Sequence, residues 1–498
     1  MKKITKLLLG VVIAFVMTLN AHAVTISTNS TAGTTDTGSR YVTNTSTLTV
    51  SGVQSADTFK AYKILNTFYN STTNTFTYEF TSTFQTFLTS TNGQTNDYSS
   101  LTVAQYQALT SGNTTSGSTT TNSTLDTLVS LYTTYIKANN VSGSDMTVSS
   151  TNATASLEAG AWLVLPTATT KVYAVMVGNI EFKANSNGTD WDITSPTIVA
   201  KVSSAAISKV LKDTSTTEGS YSIGDEYNYL ITASIPTYPT NATNKTLTIT
   251  ETLENGITFG SIADVIVKDG ATTLTTNTNG TVVDTNEHTV ATIVKNGQEV
   301  TITLNADYIS TNTVTIEYPA TLNNSAVLGS TGNKTTTTLT YATQPYSTGN
   351  GTTTTTEGVV NTVTTYGIRL FKKNSSNTGL QGAEYIVYSD SGLTTSVGTI
   401  TTGNDGYGTI DGLASGTYYL KENKAPTGYR INNDILTVTI NTSNNYTETN
   451  QEDTQMGLLP TTGGIGTYIF IVMGAIIVIG ALVFLYKYLN KNKNKDGK

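Results

Sequence analysis

Apolar and polar residues alternate along most of this chain, in short stretches. Residues 49–52 and 58–65 alternate, and so do 227–235, 246–253, 300–304, 313–322 and 336–341. A side chain that returns every second residue turns one face of a strand to a core and the other to solvent. The same pattern returns at 367–372, 383–388, 417–421 and 435–440, with Gly and Asn turns between. Residues 161–165 and 172–177 are nearly continuous apolar runs and read as buried strands. Two stretches follow a helical period instead, 101–109 and 123–137. In the second, Leu125, Leu128, Val129, Tyr132 and Ile136 recur on one face, and Ser123 suits the cap. Residues 343–356 are rich in Ser, Thr and Gly and read as a linker or long loop. The pattern predicts a mainly β chain of tandem β-sandwiches, the first with inserted helices.

Two apolar runs do not alternate. Residues 7–19 follow Lys2, Lys3 and Lys6 and precede Ala21, His22 and Ala23, the layout of a secretory signal peptide cut after Ala23. Residues 465–486 carry no charge and are long enough to cross a bilayer as a helix. Lys487, Lys491, Lys493, Lys495 and Lys498 follow. Lysines just past a span stay on the cytoplasmic side, so the chain before it lies outside the cell. The expected division is a signal peptide at 1–23, an N-terminal domain at 24–200, a middle sandwich at 201–345, a third sandwich at 346–455, and an anchor with a transmembrane helix and basic tail at 456–498.

Composition narrows the chemistry. There are no cysteines, so an extracellular protein must find its robustness elsewhere than in disulfides. Of the two histidines, His22 leaves with the signal peptide and His288 stands alone. A His-based metal site or a Ser-His-Asp triad cannot be built from that, and no metal or cofactor is expected. The net charge of −7 comes from charged residues that make up only 12% of the chain, and no basic stripe suits nucleic acid.

Directly before the C-terminal apolar run stand Leu459, Pro460, Thr461, Thr462 and Gly463. This pentapeptide, the apolar helix and the basic tail together resemble the LPXTG cell-wall sorting signal of Gram-positive surface proteins. The resemblance implies that a sortase cuts between Thr462 and Gly463 and joins Thr462 to an amine.

The third domain carries a sharper motif. Gly416, Thr417, Tyr418, Tyr419, Leu420, Lys421 and Glu422, then Ala425, Pro426, Thr427, Gly428 and Tyr429, resemble the E-box region of Gram-positive pilins. Residues 367–372 and 380–385 are similar to the opening strands of a Cna-B-type immunoglobulin-like domain. In that family a Lys of the first strand forms an intramolecular isopeptide bond with an Asn of the last strand, assisted by a buried acid. The resemblance implies the trio Lys372, Asn450 and Glu422, with Lys373, Asn441, Asn444 and Asn445 as rivals. The physics suits it. Burial lowers the pKa of a lysine and raises that of a carboxyl, giving a nucleophilic amine and a proton donor. Fixing both beside the carboxamide replaces a chance encounter with a positioned one.

The middle domain, at 222–225 and 248–259, looks like the middle domains of the same pilins. That likeness implies Glu251 as the acid, Lys209 as the amine with Lys212 behind it, and Asn333 as the carboxamide. Thr335 stands where the family often has a second Asn. Shaft pilins also need an acceptor lysine near the end of the first domain. Trp191 followed by residues 197–201 makes Lys201 the counterpart, with Lys183 behind it, although the family's Tyr-Pro is missing.

The resemblance therefore implies a sortase-assembled pilin, most specifically the shaft subunit of a covalent cell-surface pilus. It would be a structural protein and not an enzyme. Its partners would be a sortase, identical and minor pilin subunits, peptidoglycan and host surface ligands, and its role would be to support adhesion. A wall-anchored adhesin that remains a monomer is the alternative. A secreted enzyme would need a carboxylate pair in a cleft.

Overall fold

The computed structural model describes residues 15–16, 24–90, 98–111, 123–174, 176–185, 190–239, 242–346, 352–456 and 465–493. The sorting pentapeptide and most of the signal peptide lie outside the described residues. The chain forms two compact units, Met1–Thr365 and Tyr366–Lys498.

The first unit begins around one long strand, Thr58–Asn70. It pairs with Gly160–Ala168 and, further along, with Arg40–Val42 on one edge, and with Thr75–Phe80 on the other. Side chains of both parities are buried along it, because both faces of its sheet are covered. One face packs on a second sheet in which Thr45–Ser51 pairs with Asn152–Glu158 and, in parallel, with Thr197–Val199. Leu48, Val50, Phe59, Trp162 and Ile198 fill that core. The other face lies under helices, where Ile64, Leu65 and Leu163 meet Phe84, Tyr106, Leu125 and Tyr132.

Both expected helices form, as Val103–Ser111 and Ser123–Ala138. Thr102 and Gln105 bond each other's backbone amides at 3.2 and 2.8 Å, a reciprocal cap on the first of them. A third helix, Ser82–Thr89, was not expected. Thr81 caps it by accepting from the Phe84 amide, and Phe84, Phe87 and Leu88 share its buried face.

The rest of the first unit is a sandwich. One sheet runs Ala206–Leu211, Glu226–Ser234, Thr313–Leu322, Ile266–Asp269. The other runs Glu218–Ser220, Val359–Thr364, Asn333–Ala342, Leu247–Leu253, Glu299–Leu304, Thr289–Asn296. Tyr229, Ile249, Ile302, Ile316, Tyr318 and Leu339 pack between them. This sandwich does not stop near residue 345. Thr353–Thr355 and Val359–Thr364 both pair with Asn333–Ala342. Thr353–Thr355, from the stretch read as linker, and Val359–Thr364, from the range expected to belong to the third sandwich, therefore close the middle sandwich instead. Threonines hid the first of them, since Thr suits both a loop composition and a strand backbone.

The second unit contains a smaller sandwich. A three-stranded sheet orders Tyr407–Leu413, Tyr366–Lys373, Tyr446–Glu452. A four-stranded sheet orders Ser396–Thr401, Glu384–Tyr388, Thr417–Lys424, Leu436–Thr439. Ile368, Leu370, Tyr385, Val387 and Leu420 form the core. The last element is the helix Ile465–Lys493, in which Tyr468–Asn490 has a mean hydropathy of 2.9, long and apolar enough to cross a membrane.

Candidate functional site

In the strand Tyr366–Lys373 alternate residues point inward, and the phase that buries Ile368 and Leu370 also buries Lys372. No part of the Lys372 side chain reaches solvent. Its Nζ lies 2.7 Å from the Tyr385 hydroxyl, 3.2 Å from Gln451 Oε1 and 3.1 Å from Glu422 Oε1. It also bonds Asp453 Oδ1 directly. Glu422 comes from the strand Thr417–Lys424, and its other oxygen accepts from the Asn432 amide at 2.6 Å. Burial raises the Glu422 carboxyl above the usual carboxylate range. Asp453 Oδ2 is buried with no hydrogen-bond partner among the described residues.

Asn450 is not in this cluster. Its strand, Tyr446–Glu452, runs parallel to the first, with Phe371 beside Asn450 and Lys372 beside Gln451. That register turns Asn450 outward, where it is exposed, and turns Gln451 and Asp453 in. Asn441, Asn444 and Asn445 are exposed before the same strand, and Lys373 bonds Asn377 at 3.1 Å on the surface. The acid and the amine thus meet, but the group facing them is a carboxylate one strand phase away from the expected Asn.

The middle sandwich repeats the arrangement with other residues. Lys209, on Ala206–Leu211, is 1% exposed. Its Nζ lies 2.5 Å from Glu251 Oε1 and 2.6 Å from Thr335 Oγ1. The same Nζ sits 3.8 Å from the centre of the Tyr229 ring. Burial pushes the Lys209 ammonium down to about 8, against the pull of Glu251. Glu251 also accepts from the Thr337 hydroxyl. Lys212 is exposed and pairs with Glu317 instead.

The structure does not bring Asn333 to Lys209. Its Oδ1 accepts from the Val327 amide at 2.8 Å, and its Nδ2 donates to the carbonyls of Val327 and Val363 at 3.1 and 3.3 Å. It packs so closely on Gly256 that a Cβ there would fall 2.1 Å from Asn333 Oδ1. Asn333 ties a turn down, and Thr335 occupies the place at the amine.

Lys201 follows the strand Thr197–Val199 and is half-buried, with its carbonyl accepting from Ala174. Burial lowers its ammonium below the usual lysine range. Lys183 lies on Phe182–Ala184, which pairs with Trp191–Ile193. Leu459, Pro460, Thr461, Thr462 and Gly463 fall outside the described residues. Sequence reasoning missed Asp453 and Gln451, and marked Thr335 only as a departure from the family pattern. Counting strand phase back from Lys372 would have turned Asn450 away, but the parallel register that fixes the count is not visible in one sequence.

Comparison with known families matches three parts of the chain. Residues 223–345 match the Gram-positive pilin backbone subunit 2, Cna-B-like domain, and residues 367–455 match a prealbumin-like fold domain. Residues 451–496 match the LPXTG cell wall anchor motif. The trypsin-resistant surface T6 protein of Streptococcus pyogenes serotype M6 is 26% identical over 374 residues, covering 57% of this chain and 69% of that protein. The structure of the T6 backbone pilin of that serotype, described as a modular three-domain structure, superposes with a TM-score of 0.62 at 21% identity over 80% of each chain. The major pilin SpaD of Corynebacterium diphtheriae aligns over 83% of this chain and 98% of that one, with 18% identity and a TM-score of 0.48. This chain is a Gram-positive backbone pilin, built from Cna-B-like and prealbumin-like domains and held at the cell wall by an LPXTG anchor.

Proposed function

We propose that the chain is the shaft subunit of a covalently polymerised pilus, and that its third domain ties itself shut with an amide between Lys372 and Asp453. In the shaft, a sortase joins Thr462 of one subunit to Lys201 of the next. The shaft then holds minor subunits and host contacts away from the wall, which is how it supports adhesion.

The observation that carries the cross-link is the placement of one buried lysine between two buried carboxyls. Fully ionised, that cluster leaves an uncompensated negative charge in a dry core, which is costly. Taking up one proton and condensing removes every charge. The Lys372 amine attacks Asp453 Cγ and a C–N bond forms. Glu422 takes a proton from the amine and passes it to the departing hydroxyl, so one water leaves. Glu422 ends protonated and free to bond the new carbonyl. Gln451 is a poorer electrophile, since its Oε1 already accepts from Tyr385 and its Nε2 donates to the Asp434 carbonyl at 3.0 Å. The trypsin resistance in the name of the Streptococcus pyogenes relative is what such a tied core would give.

Mass spectrometry of peptides from the whole chain tests this. We expect a Lys372–Asp453-linked pair lighter by one water, present in Asn450→Ala and absent in Asp453→Ala and Glu422→Ala. A linked pair that has lost ammonia and maps to Gln451, or separate unlinked peptides, would overturn the assignment.

A further inference from the structure

We propose that a cleft in the first unit, walled by the first domain and the end of the middle sandwich, binds a carboxylate-bearing sugar. This goes beyond the shaft reading, and it stands whether or not the subunits polymerise.

The cleft forms where a covered sheet face runs out of cover. On Thr58–Asn70 the phase that faces the helices carries Ile64, Tyr62 and Lys60 in turn. Ile64 and Tyr62 are buried there, while Lys60 is only partly so. The helix Ser123–Ala138 ends beside it, with Lys137 in the last turn. The chain then turns through Asn140, whose φ of 49° is left-handed. A Cβ on Gly143 would fall 2.7 Å from Tyr62 Cε1, so a glycine lets this turn lie against the ring. From the middle sandwich comes Gln344, just past Asn333–Ala342. Its Nε2 donates to the Thr167 carbonyl at 2.8 Å, and its Oε1 lies 3.5 Å from Lys137 Nζ. These groups enclose about 350 Å³ that opens to solvent.

The lining selects a ligand with three properties. First, it must be an anion. Lys60 and Lys137 line the cleft, and no carboxylate does among the described residues. Asp145, itself largely exposed, pairs with Lys60 at 2.8 Å, and a surface pair of that kind is worth little. Burial pushes the Lys137 ammonium down to about 8, so a carboxylate seated against it meets a cation already short of water. Second, it must carry several hydroxyls, because Asn140, Ser142 and Gln344 offer amide and hydroxyl groups around the ammonium. Third, it must have an apolar face. Ile136, Leu165 and Pro166 make a floor on which the C–H face of a sugar ring can lie. A bare phosphate would leave that floor unused, and the lining has no arginine to grip it with two bonds. The volume is at the low end for a small-molecule site and suits a single sugar residue.

Two sources offer this chemistry, a sialic acid at the end of a glycan and a uronic acid within a polysaccharide. Titration calorimetry on the full chain at neutral pH separates them, with N-acetylneuraminic acid, glucuronic acid and the methyl ester of each. We expect at least one acid to bind and its ester to bind about tenfold more weakly or worse, the worth of a charge-assisted hydrogen bond. The acid that binds names the source. Lys137→Gln should lose affinity by a similar factor. A second measurement uses the parent alone, so a variant that folds poorly does not cloud it. Under an amine-reactive label, the bound acid should shield Lys137 and leave Lys212 as reactive as before. Neither heat nor shielding at millimolar acid would overturn the proposal. So would an ester that binds as tightly as its acid, or inorganic phosphate that displaces the acid at equal concentration, since the cleft would then not read a carboxylated sugar.

Discussion

Lys209 and Lys372 each sit where an ammonium has lost its water and must be neutralised by neighbours. Removing one neighbour of such a pair, with no cross-link in place, costs about 3–5 kcal/mol. The residue scale therefore gives a pH prediction. The likeness to pilin middle domains implies a carboxamide partner for Lys209, and buried Asn361, whose Nδ2 donates to the Lys209 carbonyl at 3.2 Å, is the one at hand. In Asn361→Ala the amine of Lys209 stays free. Its folded value is about 8, against an ordinary 10.5, so between those limits the unfolded chain holds a proton that the folded chain has dropped. The stability of the variant should then rise with pH through that window and be lowered by a constant amount beneath it. A parent with its Nζ in an amide should lack this slope. Buried Tyr229 and Tyr318, both pushed up by burial, titrate in parent and variant alike and cancel in the difference. Denaturant melts of both proteins at several pH values measure it, and equal slopes would mean that Lys209 is in the same state in each. The amines and acids of both clusters were legible in the sequence because motifs surround them. The groups that the structure sets against the amines were not. Asn450 lies on the short strand Tyr446–Glu452 and Asp453 directly follows it, and because a strand turns successive residues to opposite faces only the register decides which of them enters the core.

At the scale of elements, the third domain joins its first and last strands side by side and in parallel. The proposed amide fixes that pair at one end and encloses a loop whose ends are 81 residues apart. In the middle domain the corresponding span between Lys209 and Asn361 is 152 residues. Loop closure of this size lowers the entropy of the unfolded chain by about 4–5 kcal/mol of free energy. Force applied through the terminal strands should pass across the amide without extending the chain between. Pulling single molecules should give no unfolding step for the third domain in the parent and a long one in Glu422→Ala. A full-length step in the parent would show an open loop. Most of these strands were legible by alternation, since each sheet has one core face. The helix Ser82–Thr89 was not, because Phe, Thr and Leu suit either backbone and only the aromatic packing of Phe84 and Phe87 on Tyr132 selects the helix. The strand Val359–Thr364 fell in the range expected for the third sandwich, and only its pairing with Asn333–Ala342 places it in the middle one.

The whole molecule has no cysteine, so no disulfide contributes to its strength outside the cell. Two kinds of amide are proposed, and they differ in who makes them. The internal amides need only the fold. The bond between subunits needs a sortase and an acceptor amine on the first domain. Lys201 suits that part because it follows a strand of the first domain's sheet, is half-buried, and has its ammonium lowered by burial, so a larger share of neutral amine is present than on a fully exposed lysine. A substitution there touches no core. Lys201→Ala should leave the folded subunit and both internal cross-links unchanged while removing the ladder of polymers from a denaturing gel of wall extract. The monomer should still reach the wall, since anchoring uses Thr462 and not Lys201. Lys183→Ala should keep the ladder. If the ladder survives Lys201→Ala and is lost in Lys183→Ala, the acceptor lies on the hairpin of Phe182–Ala184 and Trp191–Ile193. If the parent itself runs as a monomer, the chain is an anchored single subunit whose internal amides serve its own endurance.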